Sequence, residues 1–508
     1  MRITNTMITR NTKSNINSNK LLVDKYNTQM TTQKKISKAS ENPVIAIRSL
    51  RLSTTLSHIN QYVENNIPDA SAWMDVTETA LTNMISILTD IRTHCVNGST
   101  DSLTADDRQT ILDGLKSLSE QVYTEGNADY AGKSVFTGYR TNSTLTFEED
   151  ELDTTYRIEQ DFDFSDLEEK RYYTGSVTVP EALTDNVGDC DTEVSVATYE
   201  RVRLAYGGDT ELNNFSYTIN GTQTNLITTD DAGNVTTAAN MQVFDNEAAW
   251  EEANGEKTVA DDAIVYIKDT GEFIFGKEIA NTISDGRATM KVEYTKKGFE
   301  EGDVKPEYYY NCEDITDDDP SKHVVYTKQD QDINYTIANN TSITINTQAD
   351  QVFDSAIKRD VTELINVVQK AIDANDKVAK IEKMMQEVQY SDQASQAKLQ
   401  GYLDAAKKEA DFADDNLQKT YEQYITRFDG YLESANIANT NVGSMKNRLT
   451  MTQTRVENQQ TTLEELKSEN EDRDISDIII DYYASYNAYQ SSLTAAGKLG
   501  ERTLLDYI

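Results

Sequence analysis

Three histidines, three cysteines and a glycine-lysine-serine triplet are the side chains with which this 508-residue chain could do chemistry. His58, His94 and His323 stand outside any HExxH pattern, so no pair of imidazoles is offered to a catalytic zinc from one helical face. No GxSxG elbow presents a serine nucleophile. Gly132-Lys133-Ser134 has the ending of a phosphate-cradling loop, but that loop needs a glycine five positions before Gly132. Asn127 stands there, Gly126 is one residue off, and no strand-then-helix pattern surrounds the triplet. Cys95, Cys190 and Cys312 are odd in number, far apart and without CxxC spacing, which indicates neither a disulfide framework nor a zinc site. Asp317-Asp318-Asp319 matches no calcium loop and reads as solvated surface. Carboxylates abound, yet abundance without a defined pocket is not acid-base catalysis. The sequence predicts no catalytic, cofactor or metal site, and a protein that is not an enzyme.

With chemistry set aside, charge and hydropathy describe what the chain must be. It carries 48 Lys plus Arg against 86 Asp plus Glu, a formal net charge of -38 at pH 7, which makes a nucleic-acid backbone an unsuitable partner. Residues 1–140 hold 15 basic and 14 acidic side chains, residues 141–350 hold 15 and 45, and residues 351–508 hold 18 and 27. The first 38 residues contain eight basic side chains and a single acid, Asp24, so the basic beginning and the acidic last third suit each other. No stretch approaches the roughly 18 apolar residues of a membrane helix, so membrane insertion is not expected. The first twenty residues lack the apolar core of a secretory signal. An extracellular location would therefore require a route without a cleavable signal peptide.

Periodicity supplies the elements. From Leu52, seam positions recur at spacings of four and three through Leu56, Ile59, Val63, Asn66, Ala70, Trp73, Thr77, Ala80, Met84, Ile87 and Ile91, one coiled-coil register. Pro68 interrupts it at a cost of about 3 kcal/mol, against about 1.5 to 3 kcal/mol for each buried seam side chain. A kinked but continuous helix is expected. A shorter seam follows at Ile111, Leu115, Leu118 and Val122, with Asp106 and Asp107 in its first turn. The last third repeats the pattern in three stretches, 357–378, 442–466 and 475–496, the last carrying Ile475, Ile479, Tyr482, Tyr486, Tyr489, Leu493 and Ala496. Residues 1–37 have only a sparse seam, Ile16, Val23 and Met30 with Tyr26 between, and should be poorly ordered alone.

The middle reads differently. Short alternating runs rich in Thr, Val, Ile and Tyr are bounded by turn dipeptides, with Asn220-Gly221 and Thr270-Gly271 as hairpin signals. Its acidic side chains are expected to keep strand edges soluble. The fold class is therefore multidomain α+β: a long antiparallel, coiled-coil-like helical bundle from both chain termini with an inserted, mainly antiparallel β region. The expected domains are 1–141, 142–350 and 351–508, the last packing on the first.

Particular motifs at both ends resemble the flagellin superfamily. Met30-Thr31-Thr32-Gln33-Lys34-Lys35-Ile36, then Ala39-Ser40-Glu41-Asn42-Pro43, is similar to the stretch that ends that family's first helix and turns with an acidic pair before proline. Gln33 stands where glycine is usual, Lys35 where arginine is, and Glu41-Asn42 where two aspartates are. Asn97-Gly98 with Asp106-Asp107-Arg108 resembles the turn into the next helix, and Asn447-Arg448-Leu449, Glu471-Asp472-Arg473-Asp474-Ile475 and Tyr489-Gln490 extend the likeness to the C-terminal end. Val135-Phe136-Thr137-Gly138-Tyr139-Arg140-Thr141 and the final Thr503-Leu504-Leu505-Asp506-Tyr507-Ile508 look like the hook-filament junction branch of the superfamily rather than its filament members.

The resemblance implies a structural subunit of the bacterial flagellum, exported through the flagellar type III channel and placed between hook and filament. Its implied partners are copies of itself, the neighbouring hook-associated protein, filament flagellin and an export chaperone. It implies that Ile16, Val23, Tyr26 and Met30 assemble with Ile475, Ile479, Tyr482, Tyr486, Tyr489, Leu493, Leu504 and Leu505, within the chain and between neighbours. Ser40, Glu41, Asn42 and Pro43 form the turn, and Phe136, Gly138, Tyr139 and Arg140 close the N-terminal helical region. Filament flagellin itself, and an enzyme or adhesin hidden in residues 141–350, are the alternatives.

Overall fold

In a computed structural model of the chain, residues 5–100, 103–181, 183, 190, 193–230 and 235–501 are described. Leu504 and Leu505 lie outside them. The chain forms two compact units, each discontinuous in sequence: one of residues 1–71, 334–343 and 446–508, the other of residues 72–333 and 344–445. The boundaries expected at 141 and 350 both fall inside the second unit.

In the first unit, the helix Asn5–Thr32 packs along the helix Ile475–Glu501. A second helix, Pro43–Gln61, begins on an Asn42 cap whose side chain accepts from the amides of Val44 and Ile45, with Pro43 in the first turn where its missing N–H costs nothing. The helical path continues through Pro68 as expected, and the means of doing so is local. Residues Tyr62–Asn66 form a π-helical turn in which the Ile67 amide reaches back to the Tyr62 carbonyl, and an α-helix Ile67–Gly98 follows. Widening one turn just before the ring relieves the clash that a proline makes with the carbonyl four residues earlier. Ile59, Ala338 and Val456 form a buried cluster with Tyr62, Val63 and Leu463 packed on it. Ala338 comes from the first strand of a hairpin, Asn334–Ala338 and Thr341–Thr344, tied down by Asn66 Nδ2 donating to the Thr336 carbonyl at 2.7 Å. This hairpin thus serves the helices rather than the large sheets.

The second unit holds a seven-stranded, wholly antiparallel sheet in the order 324–326, 311–314, 151–163, 289–299, 210–219, 222–229, 235–237. A five-stranded sheet runs 168–174, 195–203, 272–275, 264–267, 241–244, antiparallel except for its last pair. Both predicted hairpins are present. Asn220 and Gly221 have φ of 49° and 80°, the left-handed pair that a two-residue turn between Ile219 and Thr222 requires. The triplet 132–134 belongs to a hairpin as well, with Ala131 and Gly132 both at positive φ between the paired residues Tyr130 and Lys133, so it cradles no phosphate.

Helices Ala105–Gln121 and Ala356–Gln386 pack together in this unit. The first starts on a Thr104–Asp107 capping box, as its acidic first turn predicts. Beyond the expected seam of the Ile67–Gly98 helix, a second column at Ile67, Met74, Leu81, Leu88 and Cys95 is fully buried, so the apolar stripe is twice as wide as the single register suggested. Farther along, Ile381, Met384, Tyr390, Leu399 and Leu403 cluster with Val177 where the helix Ala356–Gln386 turns back into the helix Gln393–Glu471. Asp319, from the aspartate run, caps a short 3-10 turn by accepting from the Ser321 amide. All three cysteines are free thiols; Cys95 and Cys312 are buried and Cys190 is half-buried.

Candidate assembly site

The candidate site lies in the first unit, where both chain ends meet. On the helix Asn5–Thr32 the half-buried positions are Ile8, Thr12, Ile16, Asn19, Val23, Tyr26, Thr28 and Met30, with Gln29 buried beside them. Ile16, Val23, Tyr26 and Met30 thus share the inward face, and Asn19 Nδ2 crosses to Ser492 Oγ at 2.9 Å. Polar residues at seam positions weaken this pairing and give it a register.

On the helix Ile475–Glu501 the inward face differs from the expected stripe. Ile478 is fully buried, and Tyr482, Ser485, Tyr489, Ser492 and Ala496 are half-buried. Ile475, Ile479, Tyr486 and Leu493 are exposed, together with Ile480 and Tyr483. Two overlapping apolar stripes run along this helix. The inner one uses small Ser and Ala side chains that let the helices approach closely, a pattern that hydrophobic periodicity overlooks. The Tyr482 and Tyr486 rings stack at 6.0 Å and join the two stripes.

The ends are locked together where the first helix stops. Gln33 takes φ of +56°, the left-handed region that favours glycine. That conformation turns Lys34 into a two-residue antiparallel bridge with Asp472: the Lys35 amide donates to the Glu471 carbonyl at 2.6 Å and the Arg473 amide to the Gln33 carbonyl at 2.9 Å. Side chains seal the bridge. Lys34 Nζ pairs with Glu471 at 3.1 Å and Asp472 at 2.5 Å, and its pKa is raised chiefly by the Asp472 bond. Gln29 is buried with both ends used, its Nε2 donating to the Lys35 carbonyl at 2.6 Å and its Oε1 accepting from Arg473 at 3.0 Å. Arg473 also lies over the Tyr26 ring at 5.5 Å and pairs with Asp481. The complementarity of basic beginning and acidic end is therefore realised as a clamp at 34–35 and 469–473. Sequence signals for it existed in Gln33 and in the Glu471-Asp472-Arg473 run, but nothing in spacing joined them.

Of the turn residues, Ser40 and Pro43 are exposed, Asn42 is the helix cap, and Glu41 accepts from Ser37 Oγ at 2.7 Å. The four residues closing the N-terminal region sit in the second unit. Phe136 is buried edge-on against Phe353 at 4.9 Å. Gly138, at φ +62°, leaves room for Gln331, whose Oε1 accepts from the exposed Tyr139 amide at 2.7 Å. Arg140 pairs with Glu307 at 3.0 Å and stacks over the Tyr326 ring at 4.0 Å.

One feature of the second unit escapes the sequence reading altogether. Not all of the acidity is surface: Asp360 is fully buried and Glu272 nearly so. Arg203 bridges Asp360 at 2.6 Å, Glu363 at 2.7 Å and Glu168 at 3.1 Å, while Arg201, two residues away on the same strand face, binds Glu272 and Glu363, each at 2.7 Å. Lys170, Tyr172, Tyr424, Arg427 and Tyr431 complete the network. Burial alone would raise these carboxyl pKa values, but the arginines outweigh it and hold Glu168 at about 2, with Asp360 and Glu363 also lowered. The available signal was the i, i+2 pair Arg201-Val202-Arg203, which lies on one face of the strand Ser195–Arg203.

Residues 3–141 match the family model for the bacterial flagellin N-terminal helical region. This segment is similar to the flagellin type. Flagellar hook-associated protein 3 of Escherichia coli strain K12 is 26% identical to the chain over 126 residues, 25% of this chain and 39% of that protein. The chain thus matches well under half the length of that curated relative. Among solved structures, a Vibrio parahaemolyticus protein described as flagellar hook-associated aligns over 85% of this chain and 100% of its own, at 12% identity and a TM-score of 0.34. Hook-associated protein 3 of Legionella pneumophila aligns over 82% and 97%, at 10% identity and a TM-score of 0.30. The flagellin-type segment includes the Gln33 turn, the Asn42 cap and the residues from Phe136 to Arg140, so the three features read first from motif fall within it.

Proposed function

We propose that the chain is a structural, non-enzymatic subunit of the bacterial flagellum, forming the junction between hook and filament by packing of its terminal helices. The observation that carries this reading is the pairing of the helices Asn5–Thr32 and Ile475–Glu501 through one apolar stripe, while a second, holding Ile475, Ile479, Ile480, Tyr483 and Tyr486, faces outward. An outward stripe of this kind on a helix already partnered is what a subunit needs to pack against its copies. The flagellin-type N-terminal segment and the likeness to a hook-associated protein support the junction role. The partners are copies of this chain, a neighbouring hook-associated protein and filament flagellin, with an export chaperone before assembly. The location is the extracellular flagellum, reached by type III export without a cleavable signal. The three parts 1–141, 142–350 and 351–508 divide the labour: the ends assemble and the acidic middle remains in contact with solvent.

Deleting residues 475–508 in a cell that depends on this chain should leave hooks without filaments while the second unit still folds. Filament growth at normal frequency with the truncated chain would overturn the proposal.

A further inference from the structure

The second unit contains a cavity of roughly 1000 Å³ between the strand ends near 203–208 and 296–304 and the helix Ala356–Gln386. Its lining is charged, and most of those charges are matched. Lys358 pairs with Asp303 at 2.6 Å, Lys377 with Glu409 at 2.7 Å, and Lys257 with Glu247 at 3.1 Å. The carboxylates Asp269, Glu300 and Asp373, which have no cation in contact among the described residues, are exposed and solvated. Two part-buried charged side chains in the lining lack a carboxylate partner among the described residues, and both are cations: Lys296 and Arg359.

Their settings are built rather than incidental. Lys296 continues the inward alternation of Met290, Val292 and Tyr294 along its strand, so an ammonium stands where the core pattern calls for an apolar group. Its Nζ lies over the Phe299 ring at 5.8 Å and above Gly208, where a Cβ would come within 3.1 Å of it. Asp209, Glu300 and Asp303 lie within electrostatic range, but the first two are exposed and the third is held by Lys358. Burial lowers the Lys296 pKa despite them, the mark of a charge whose desolvation is not repaid. Arg359 donates through one terminal nitrogen to the carbonyls of Arg203, at 3.1 Å, and Leu204, while its Nε is buried without a protein acceptor, as is Thr270 Oγ1 in the same lining.

We propose that this cavity binds a small oxyanion-bearing molecule, a carboxylate or a phosphate ester, anchored by Lys296 and Arg359. The size suits a small ligand, and an Arg and a Lys lining one cavity without a carboxylate in direct contact, Arg359 acting on Glu168 and Asp360 only through space, are the recognition chemistry of such groups. The site is independent of the terminal helices and of the assembly role.

The test is calorimetric titration of the full-length protein at low ionic strength with inorganic phosphate and, separately, with citrate. Saturable binding near one equivalent is expected, weakened about tenfold or more in Lys296→Met and in Arg359→Met, and unchanged in Lys277→Gln, an exposed lysine outside the cavity. Phosphate binding without citrate assigns a phosphate ester, and citrate without phosphate a carboxylate. If neither probe saturates in the millimolar range, or Lys296→Met retains full affinity, or Lys277→Gln weakens binding equally, the proposal is overturned. Lys296→Met keeps an apolar side chain at an inward strand position, and unchanged tryptophan fluorescence certifies its fold, so the answer does not depend on Arg359→Met folding.

Discussion

At Gln33 and Arg203 the backbone and the charges make opposite demands. Gln33 bears the strain of a left-handed conformation, about 1 to 2 kcal/mol for an L-residue, partly offset by the extra freedom that glycine has when unfolded. Gln33→Gly should therefore stabilise the clamp by up to about 1 kcal/mol, read as slower hydrogen exchange at the Lys35 amide. Faster exchange would show that the Gln33 side chain contributes more than its backbone costs. Arg203 is the reverse case, a residue whose removal leaves partners stranded. Arg203→Met would strip Asp360, Glu363 and Glu168 of a shared cation, and breaking a buried ion pair in this way costs about 3 to 5 kcal/mol. Both tryptophans, Trp73 and Trp250, belong to the second unit, so urea unfolding followed by their fluorescence measures that loss.

The terminal helix carries two apolar faces, and single substitutions separate them. Ile478→Ala empties a fully buried position on the helix that packs along the first helix and should cost about 2 to 5 kcal/mol, loosening hydrogen exchange along residues 5–32 in the monomer. Ile480→Ala, at a site 66% exposed, should leave monomer exchange unchanged and impair assembly. If both variants behaved alike in monomer, the inner and outer faces would have been assigned wrongly. The same helix shows where sequence reading succeeds and where it stops. Spacing located the helix, its neighbours and the inward set Ile16, Val23, Tyr26 and Met30, because burial imposes a period on any helix packed lengthwise. At 475–493 it merged two faces into one set, Tyr482 and Tyr489 inward with Ile475, Ile479, Tyr486 and Leu493 outward, because period cannot say which of two apolar faces meets the chain's own partner. Pro68 announced a distortion, yet its form, a π turn at Tyr62–Asn66, follows from backbone hydrogen bonding that side-chain pattern does not encode. Two hairpins were readable from Asn220-Gly221 and Thr270-Gly271, where a positive φ demanded glycine. The buried ion network was not, since a charged residue in sequence looks the same on a surface as in a core.

For the chain as a whole, those buried charges set how it meets acid. A carboxyl held below its unfolded pKa contributes stability that is fully present above the unfolded value and is lost as pH falls through the folded one. Glu168 is held at about 2 against an ordinary 4.5, and Asp360, Glu363 and Glu247 are lowered with it, burial opposing and the arginines and lysines prevailing. The second unit should keep its stability from neutral pH to about 5 and lose it progressively between roughly 4.5 and 2, followed by tryptophan fluorescence across a urea series at each pH. Constant stability down to pH 3 would mean that the network contributes nothing net.

The thiols offer a practical handle on the same molecule. Burial pushes the Cys95 and Cys312 thiols up to about 12, so neither supplies thiolate near neutrality, while Cys190 is half-buried beside the turn between the two long helices of the second unit. Thiol-directed dyes should therefore modify the native wild-type chain at a single position, giving a stoichiometric fluorophore for following subunit addition in real time without engineering a cysteine.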